Sequence, residues 1–301
     1  MKNHVATCLA IGLLVLLPAR AQPADTTVST VEEVARFVEA RAVAADPSGR
    51  LYVADAGRDV VVVLDGHGRR AATLGGPGTG EGSFDEPSDV DPTNGLILLV
   101  ADAGNGRIQR FSRDYLFLEA LPVGGTSEGE GSVVSSFLPR TNDVVGGGDG
   151  FPIAVVSSET QEIYAIDARR HHVLHWDRNR RRVGSIGLDG PGRLVEPIAL
   201  ALDERSLYVA DRGRGGVVVF DHFGGFVRVL AEGRLPEVQA VSWLGDRLAV
   251  VLPERILWYD GSGRLHRTVA VQLGEPLIDV ARSGDILYLL TPTRLVRTRA
   301  F

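Results

Sequence analysis

The sequence predicts an all-β protein, a six-bladed β-propeller whose four-stranded antiparallel blades close into a ring through an N-terminal strand. Three observations carry this. A phrase recurs, as RLYVADAGRDVVVVLDGHG (Arg50 to Gly68), LLVADAGNGRIQRFSRD (Leu98 to Asp114) and SLYVADRGRGGVVVFDHFG (Ser206 to Gly224). It keeps a register: the anchors Asp55, Asp102, Asp167, Asp211, Leu252 and Thr291 lie 15, 15, 15, 14, 16 and 15 residues after Ala40, Pro87, Pro152, Pro197, Pro236 and Pro276. Each unit breaks into four short β-branched or alternating runs, which is the pattern of a propeller blade.

The first unit shows the parts. RAVAAD is strand a, LYVAD strand b, VVVVLD strand c and RRAATLG strand d. Gly, Pro, Asp and Asn bound the runs, as turn chemistry requires. Turns such as DGHG need glycine for positive φ. An opening proline suits the first position of a strand, because it has no N–H to give a ladder.

The units are expected over residues 40–77, 87–124, 152–187, 197–232, 236–271 and 276–301. Pro87 to Pro152 spans 65 residues where the later intervals are 45, 39 and 40. The excess falls in the glycine-rich segment 125–150, read as a loop inserted between blades 2 and 3. The sixth unit has only strands a to c, so a strand within residues 31–39 is expected to complete it and remove the open edges. An amphipathic helix over Val31 to Val38 is the rival reading.

The ends and the composition narrow the class. Residues 1–21 read as a signal peptide: Lys2, then a 14-residue apolar run from Val5 to Pro18, then small Ala19 and Ala21. The run is too short to span a membrane. The protein is therefore expected to be exported, periplasmic or secreted, with residues 22–301 forming one domain, a monomer. Cys8 is the only cysteine, so the mature chain can form no disulfide and use no thiol. Loss of basic Lys2 and Arg20 takes the net charge from −6 to −8, since residues 1–21 hold no acid. An acidic chain of this kind is no candidate for nucleic acid.

LYVADAGRDVVVVLD, LVADAGNGRIQRFS and LYVADRGRGGVVVFD, each after a P-x-x-V/L opening and before a glycine turn, resemble the NHL repeat. GGPGTGEGSFDEPSDV (Gly75 to Val90) resembles that family's bridge between blades. The resemblance spans nearly all the mature chain, strongly in blades 1, 2 and 4 and weakly in 5 and 6. It departs from the family in one respect: the arginine five residues after the aspartate occurs only as Arg107, against Val60, His172 and Gly216 elsewhere. The resemblance implies a six-bladed propeller that binds partners; a minority of related propellers are metal-dependent enzymes.

The topology puts the b–c turns and d–a bridges on one face, with Asp55, Asp102, Asp167, Asp211 and the turn Arg169, Arg170, His171, His172. Binding tends to sit on loops of a rigid scaffold, so this face is expected to meet a protein or cell-envelope component. The repeated aspartates also read as turn-stabilising groups. His175 and His172 are three apart on a strand and point to opposite sides, which leaves them no shared metal. Arg178, Arg180, Arg181 and Arg182 make blade 3 basic; they suit an anionic glycan, an acidic partner, or Glu128 and Glu130 of the neighbouring loop.

Glu86, Glu196 and Glu275 each precede an opening proline in alternate blades. They could rim the channel and hold calcium or another divalent metal. Two main readings follow: a non-enzymatic binding scaffold without cofactor, or a metal-dependent lactonase, esterase or lyase with those carboxylates as ligands. A sensor domain is a third.

Overall fold

The computed structural model describes residues 26–92, 95–124 and 148–300. The proposed signal peptide and most of the inserted loop, Glu128 and Glu130 included, lie outside these.

The described residues form six antiparallel blades. Blade 1 runs Ala40–Ala45, Leu51–Asp55, Val60–Leu64 and Arg70–Gly75. Blade 2 runs Pro87–Asp91, Ile97–Asp102, Arg107–Ser112 and Phe117–Pro122. Blade 3 runs Pro152–Ser157, Ile163–Asp167, His172–Trp176 and Arg182–Ile186. Blade 4 runs Pro197–Leu202, Ser206–Asp211, Gly216–Asp221 and Phe226–Leu230. Blade 5 runs Ala240–Trp243, Arg247–Leu252, Arg255–Asp260 and Leu265–Val271. Blade 6 runs Asp279–Ser283, Ile286–Leu290 and Arg294–Arg299.

The fourth strand of blade 6 is Glu32–Arg36, antiparallel to Arg294–Arg299 with Glu32 opposite Arg297 and Arg36 opposite Arg294. The segment is a strand and not the rival helix, because its partner edge offers a ladder that an isolated helix here could not match. Thr26–Val28 adds a fifth strand to blade 5, parallel to Leu265–Val271. Nothing in the repeat pattern predicted it.

Strands b and c are apolar on both sides because each blade is packed on both faces. Leu51 and Val53 sit in the cluster shared with blade 6, around Tyr288 and Leu290. Tyr52 and Ala54, their alternates, sit with Val90, Val100 and Phe111 of blade 2. Burying each such Val or Leu contributes about 1.5–3 kcal/mol. A blade alone would expose both faces, so only the closed stack is stable.

One expectation needs correction. In blades 5 and 6 strand a starts at Ala240 and Asp279. Pro236 and Pro276 therefore sit in the preceding bridge and do not open the strand. This slip hides an equivalence at the axis.

Candidate functional site

The four repeated aspartates are buried at the ends of their b strands. Asp55 accepts hydrogen bonds from the Val38 and Glu39 N–H groups at 3.2 and 2.9 Å and from Arg58 Nη1 at 2.7 Å. Asp167 accepts from Phe151 N, Arg169 N and Arg170 Nη1. Asp211 accepts from Val195 N, Glu196 N and Arg214 N. Each carboxylate ties the incoming bridge to the b–c turn of its own blade.

Blade 2 elaborates the device. Asp102 accepts from Asp85 N and from the side chains of Asn105, Arg107 and Gln109, at 2.8 to 2.9 Å. Burial pushes the Asp102 carboxyl up, and these hydrogen bonds oppose the shift. Arg107, also buried, reaches on to the bridge carbonyls of Gly80 and Ser83. Other blades reach their bridges from other positions: Arg214 bonds the Pro191 and Arg193 carbonyls, and Arg294 bonds the Leu273 carbonyl.

Blade 6 inverts the arrangement. Thr291 replaces the aspartate, and the carboxylate comes from the bridge: Glu275 accepts from the Thr291 and Thr293 hydroxyls at 2.7 and 2.9 Å. The Thr291 hydroxyl, then Thr293 and Arg294, hold the Glu275 carboxyl below its usual range.

Of the residues proposed to face a partner, the aspartates and His172 are therefore enclosed. Arg169, Arg170 and His171 remain at the surface. Arg169 bonds the Asp149 carbonyl and lies over the Phe151 ring, and Arg170 pairs with Asp149 and Asp167. Burial lowers the affinity of His172 and His175 for a proton. His175 stacks on Tyr164 with ring centroids 4.4 Å apart. On the opposite side of the disc, Arg180 pairs with Glu119 of blade 2 and Arg181 with Asp177.

Glu86, Glu196 and Glu275 do not converge. None lines the axial cavity. Glu196 pairs with Arg212, and Glu275 is engaged within blade 6. Among the described residues no three His, Cys, Asp or Glu side chains form a metal-holding group. The alternative with these glutamates as ligands finds no set of ligands here.

What the ring does enclose is a cavity of about 620 Å³ on its axis, walled by strand a of every blade. Ile153, Ile198, Leu202 and Trp243 make part of the wall apolar; Arg41, Ser88, Asp89, Asp91, Asp279 and Arg282 make another part polar. Trp243 stacks on Tyr208 at 5.6 Å. Among the described residues no arginine pairs with Asp89 or Asp279. Burial pushes Asp279 up to about 7. It pushes Asp89 well above the carboxylate range, with the Asp279 charge adding to the shift. Sequence reasoning missed both. The signal was present as D-V in SDV and IDV, at corresponding points of blades 2 and 6, but counting from Pro276 put it one position out of register.

No family model matches this chain, and no curated protein matches it. Among solved structures, a streptogramin B lyase superposes with a TM-score of 0.61 at 8% identity, covering 89% of this chain and 96% of that one. A catalytically inactive virginiamycin B lyase from Staphylococcus aureus, crystallised with quinupristin, gives 0.61 at 10% identity, covering 87% and 82%. At such identity the likeness establishes the six-bladed fold and nothing finer. The NHL resemblance of blades 1, 2 and 4 has no family model behind it. No helix among the described residues is long and apolar enough to cross a membrane.

Proposed function

We propose that the protein is an exported, non-enzymatic binding propeller that holds a small molecule in its axial cavity. The observation that carries this is the cavity itself, with one apolar and one polar wall. Concave sites of 300–1,000 Å³ lined in this way are where small ligands bind. The repeated loop-face aspartates support it indirectly, because all four are engaged in holding bridges to turns. Arg169, Arg170 and His171 are the exposed groups through which a protein or envelope component would be met on the loop face.

The competing reading is a metal-dependent enzyme. It draws on the lyase names of the structural neighbours, and it lacks converging ligands among the described residues. Metal analysis and a thermal-shift screen of the purified chain separate the two. The binding reading expects saturable stabilisation by some small molecules, lost when Ile198→Trp narrows the cavity. A tightly held divalent ion together with turnover of esters or lactones would replace it with the enzymatic reading.

A further inference from the structure

Strand a is the innermost strand of each blade, so one edge faces the axis with no strand beside it. Alternate N–H groups on that edge point into the cavity and need an acceptor. The register says which. Ala42, Asp89, Ala154, Ala199, Ala240 and Asp279 each lie opposite the residue preceding the b-strand anchor. The next residue in each blade turns its N–H to the axis: Val43, Val90, Val155, Leu200, Val241 and Val280.

Four of these six have an acceptor, supplied by two carboxylates. Asp89 accepts from Val90 of its own blade and from Val155 of the next, both at 2.8 Å. Asp279 accepts from Val280 of its own blade and from Val43 of the next, again both at 2.8 Å. Each carboxylate therefore bridges a blade junction, at 2–3 and at 6–1. The two N–H groups left over belong to Leu200 and Val241, again one blade and the next. The position that would carry their carboxylate is Ala199. No described side chain accepts from either N–H.

We propose that the Leu200 and Val241 N–H groups bind the carboxylate of a ligand, which takes at the 4–5 junction the place that Asp89 and Asp279 take at the other two. The inference rests on the axial-binding reading and narrows it to a monocarboxylate with an apolar body. The molecule demonstrates the geometry twice, since one carboxylate spans two N–H groups across a junction at 2–3 and at 6–1. Ala199 leaves room where a longer side chain would close the gap. Ile198, Leu202 and Trp243 belong to the blades flanking this junction and line the cavity there, which gives an apolar body its wall. Charge does not oppose the fit: burial favours the protonated form of Asp89 and Asp279, Asp91 is engaged with Ser157 of blade 3, and Arg41 and Arg282 also line the cavity.

The test uses hexanoate against hexylamine and hexanol, followed by calorimetry and by amide NMR of the labelled protein. Hexanoate is expected to bind saturably and to shift the Leu200 and Val241 amide protons. The alcohol and the amine should bind at least about tenfold more weakly, because hydrogen bonds to a charged acceptor are about twice as strong as those to a neutral one and an ammonium offers no acceptor. Ala199→Asn and Ala199→Asp, which supply an internal acceptor, should weaken hexanoate by at least about tenfold. Hexanoate binding that survives both substitutions, or that leaves the two amides unmoved, overturns the inference. The amide readout needs no variant, so it decides the matter if a substitution impairs folding. Tighter binding of hexylamine, sensitive to Ile198→Trp, would overturn the carboxylate site and leave the axial-binding reading standing. No binding of hexanoate at millimolar concentration overturns the inference as well.

Discussion

The loop-side rim and the axis of this ring meet the same problem with the same group. At both places backbone N–H groups at the margin of a sheet need acceptors, and an aspartate bridges two segments to supply them. At the rim the bridge lies within one blade, from b–c turn to incoming bridge, and Asp55, Asp102, Asp167 and Asp211 repeat it. At the axis the bridge lies between blades: Asp89 and Asp279 each span two N–H groups across a junction, and Asp91 accepts from Ser157 of the next blade. Three of the rim carboxylates, Asp55, Asp102 and Asp167, have guanidinium partners; Asp89 and Asp279 have none among the described residues, and burial drives them toward the neutral acid. The rim repeats one device in four of the six blades and holds the fold. The axis is unequal round the ring, and a rigid symmetric scaffold gains chemical discrimination from such inequality.

The comparison breaks first at blade 2. Asp102→Ala should be the most destabilising single change, because it strands the buried Arg107 guanidinium; removing one partner of a buried pair costs about 3–5 kcal/mol. Thermal or urea unfolding measures it. A loss below about 1 kcal/mol would mean that the bridge carbonyls alone hold Arg107 and that the rim device is dispensable.

Next comes the axis, through pH. The folded pKa of Asp279 is raised to about 7, against about 3.9 in an unfolded chain. The folded state therefore holds a proton that the unfolded state gives up. The stability this brings is present below pH 4 and is lost as pH rises toward and through 7, on the order of 4 kcal/mol in all. Asp279→Asn should remove that slope, so its unfolding free energy relative to the unaltered protein rises between pH 5 and pH 8. His172 and His175, whose pKa values are lowered by burial, act oppositely: their contribution falls away as pH drops below the usual histidine value, and Asp279→Asn leaves it in place. A pH-independent difference between the two proteins would show Asp279 to be an ordinary carboxylate.

Asp55→Ala should cost less than Asp102→Ala, about 1–3 kcal/mol for the N–H groups left without an acceptor, because its partner Arg58 reaches water. Equal losses at the two sites would deny blade 2 its special role. Smallest of all, Glu32→Ala removes an exposed ion pair with Arg297 on the ring-closing strand. No measurable shift in unfolding temperature is expected at physiological salt, since such pairs are screened and loosely held. A clear shift would mean that closure depends on side-chain charge as well as on the backbone ladder.

How much was legible follows the same division. Blades 1, 2 and 4 could be read directly, because the buried LYVAD and VVV runs and their glycine turns recur. The opening prolines misled in blades 5 and 6, where Pro236 and Pro276 sit in the bridge, and a slip of one residue separated Asp279 from its equivalent Asp89. Thr26–Val28 was not legible at all. A three-residue strand of Thr, Thr and Val carries no period, and only the free edge of blade 5 recruits it. Glu86, Glu196 and Glu275 looked like a set because they share a position before proline. Glu86 and Glu196 stand three residues before Asp89 and Ala199, but Glu275 stands four before Asp279 and is drawn onto Thr291 and Thr293 of its own blade.

By itself the sequence determined the ring: six units that must stack, since each has two apolar faces and cannot bury both alone. It determined where each repeated aspartate sits, because a local turn specifies its own hydrogen bonds. Tertiary structure alone decided what the axis offers. Asp89 meets Val155 and Asp279 meets Val43 only after six blades have closed, and only then do the Leu200 and Val241 N–H groups, which no described side chain accepts, come to adjoin one another. Those contacts join residues up to 236 positions apart, and no local pattern encodes them.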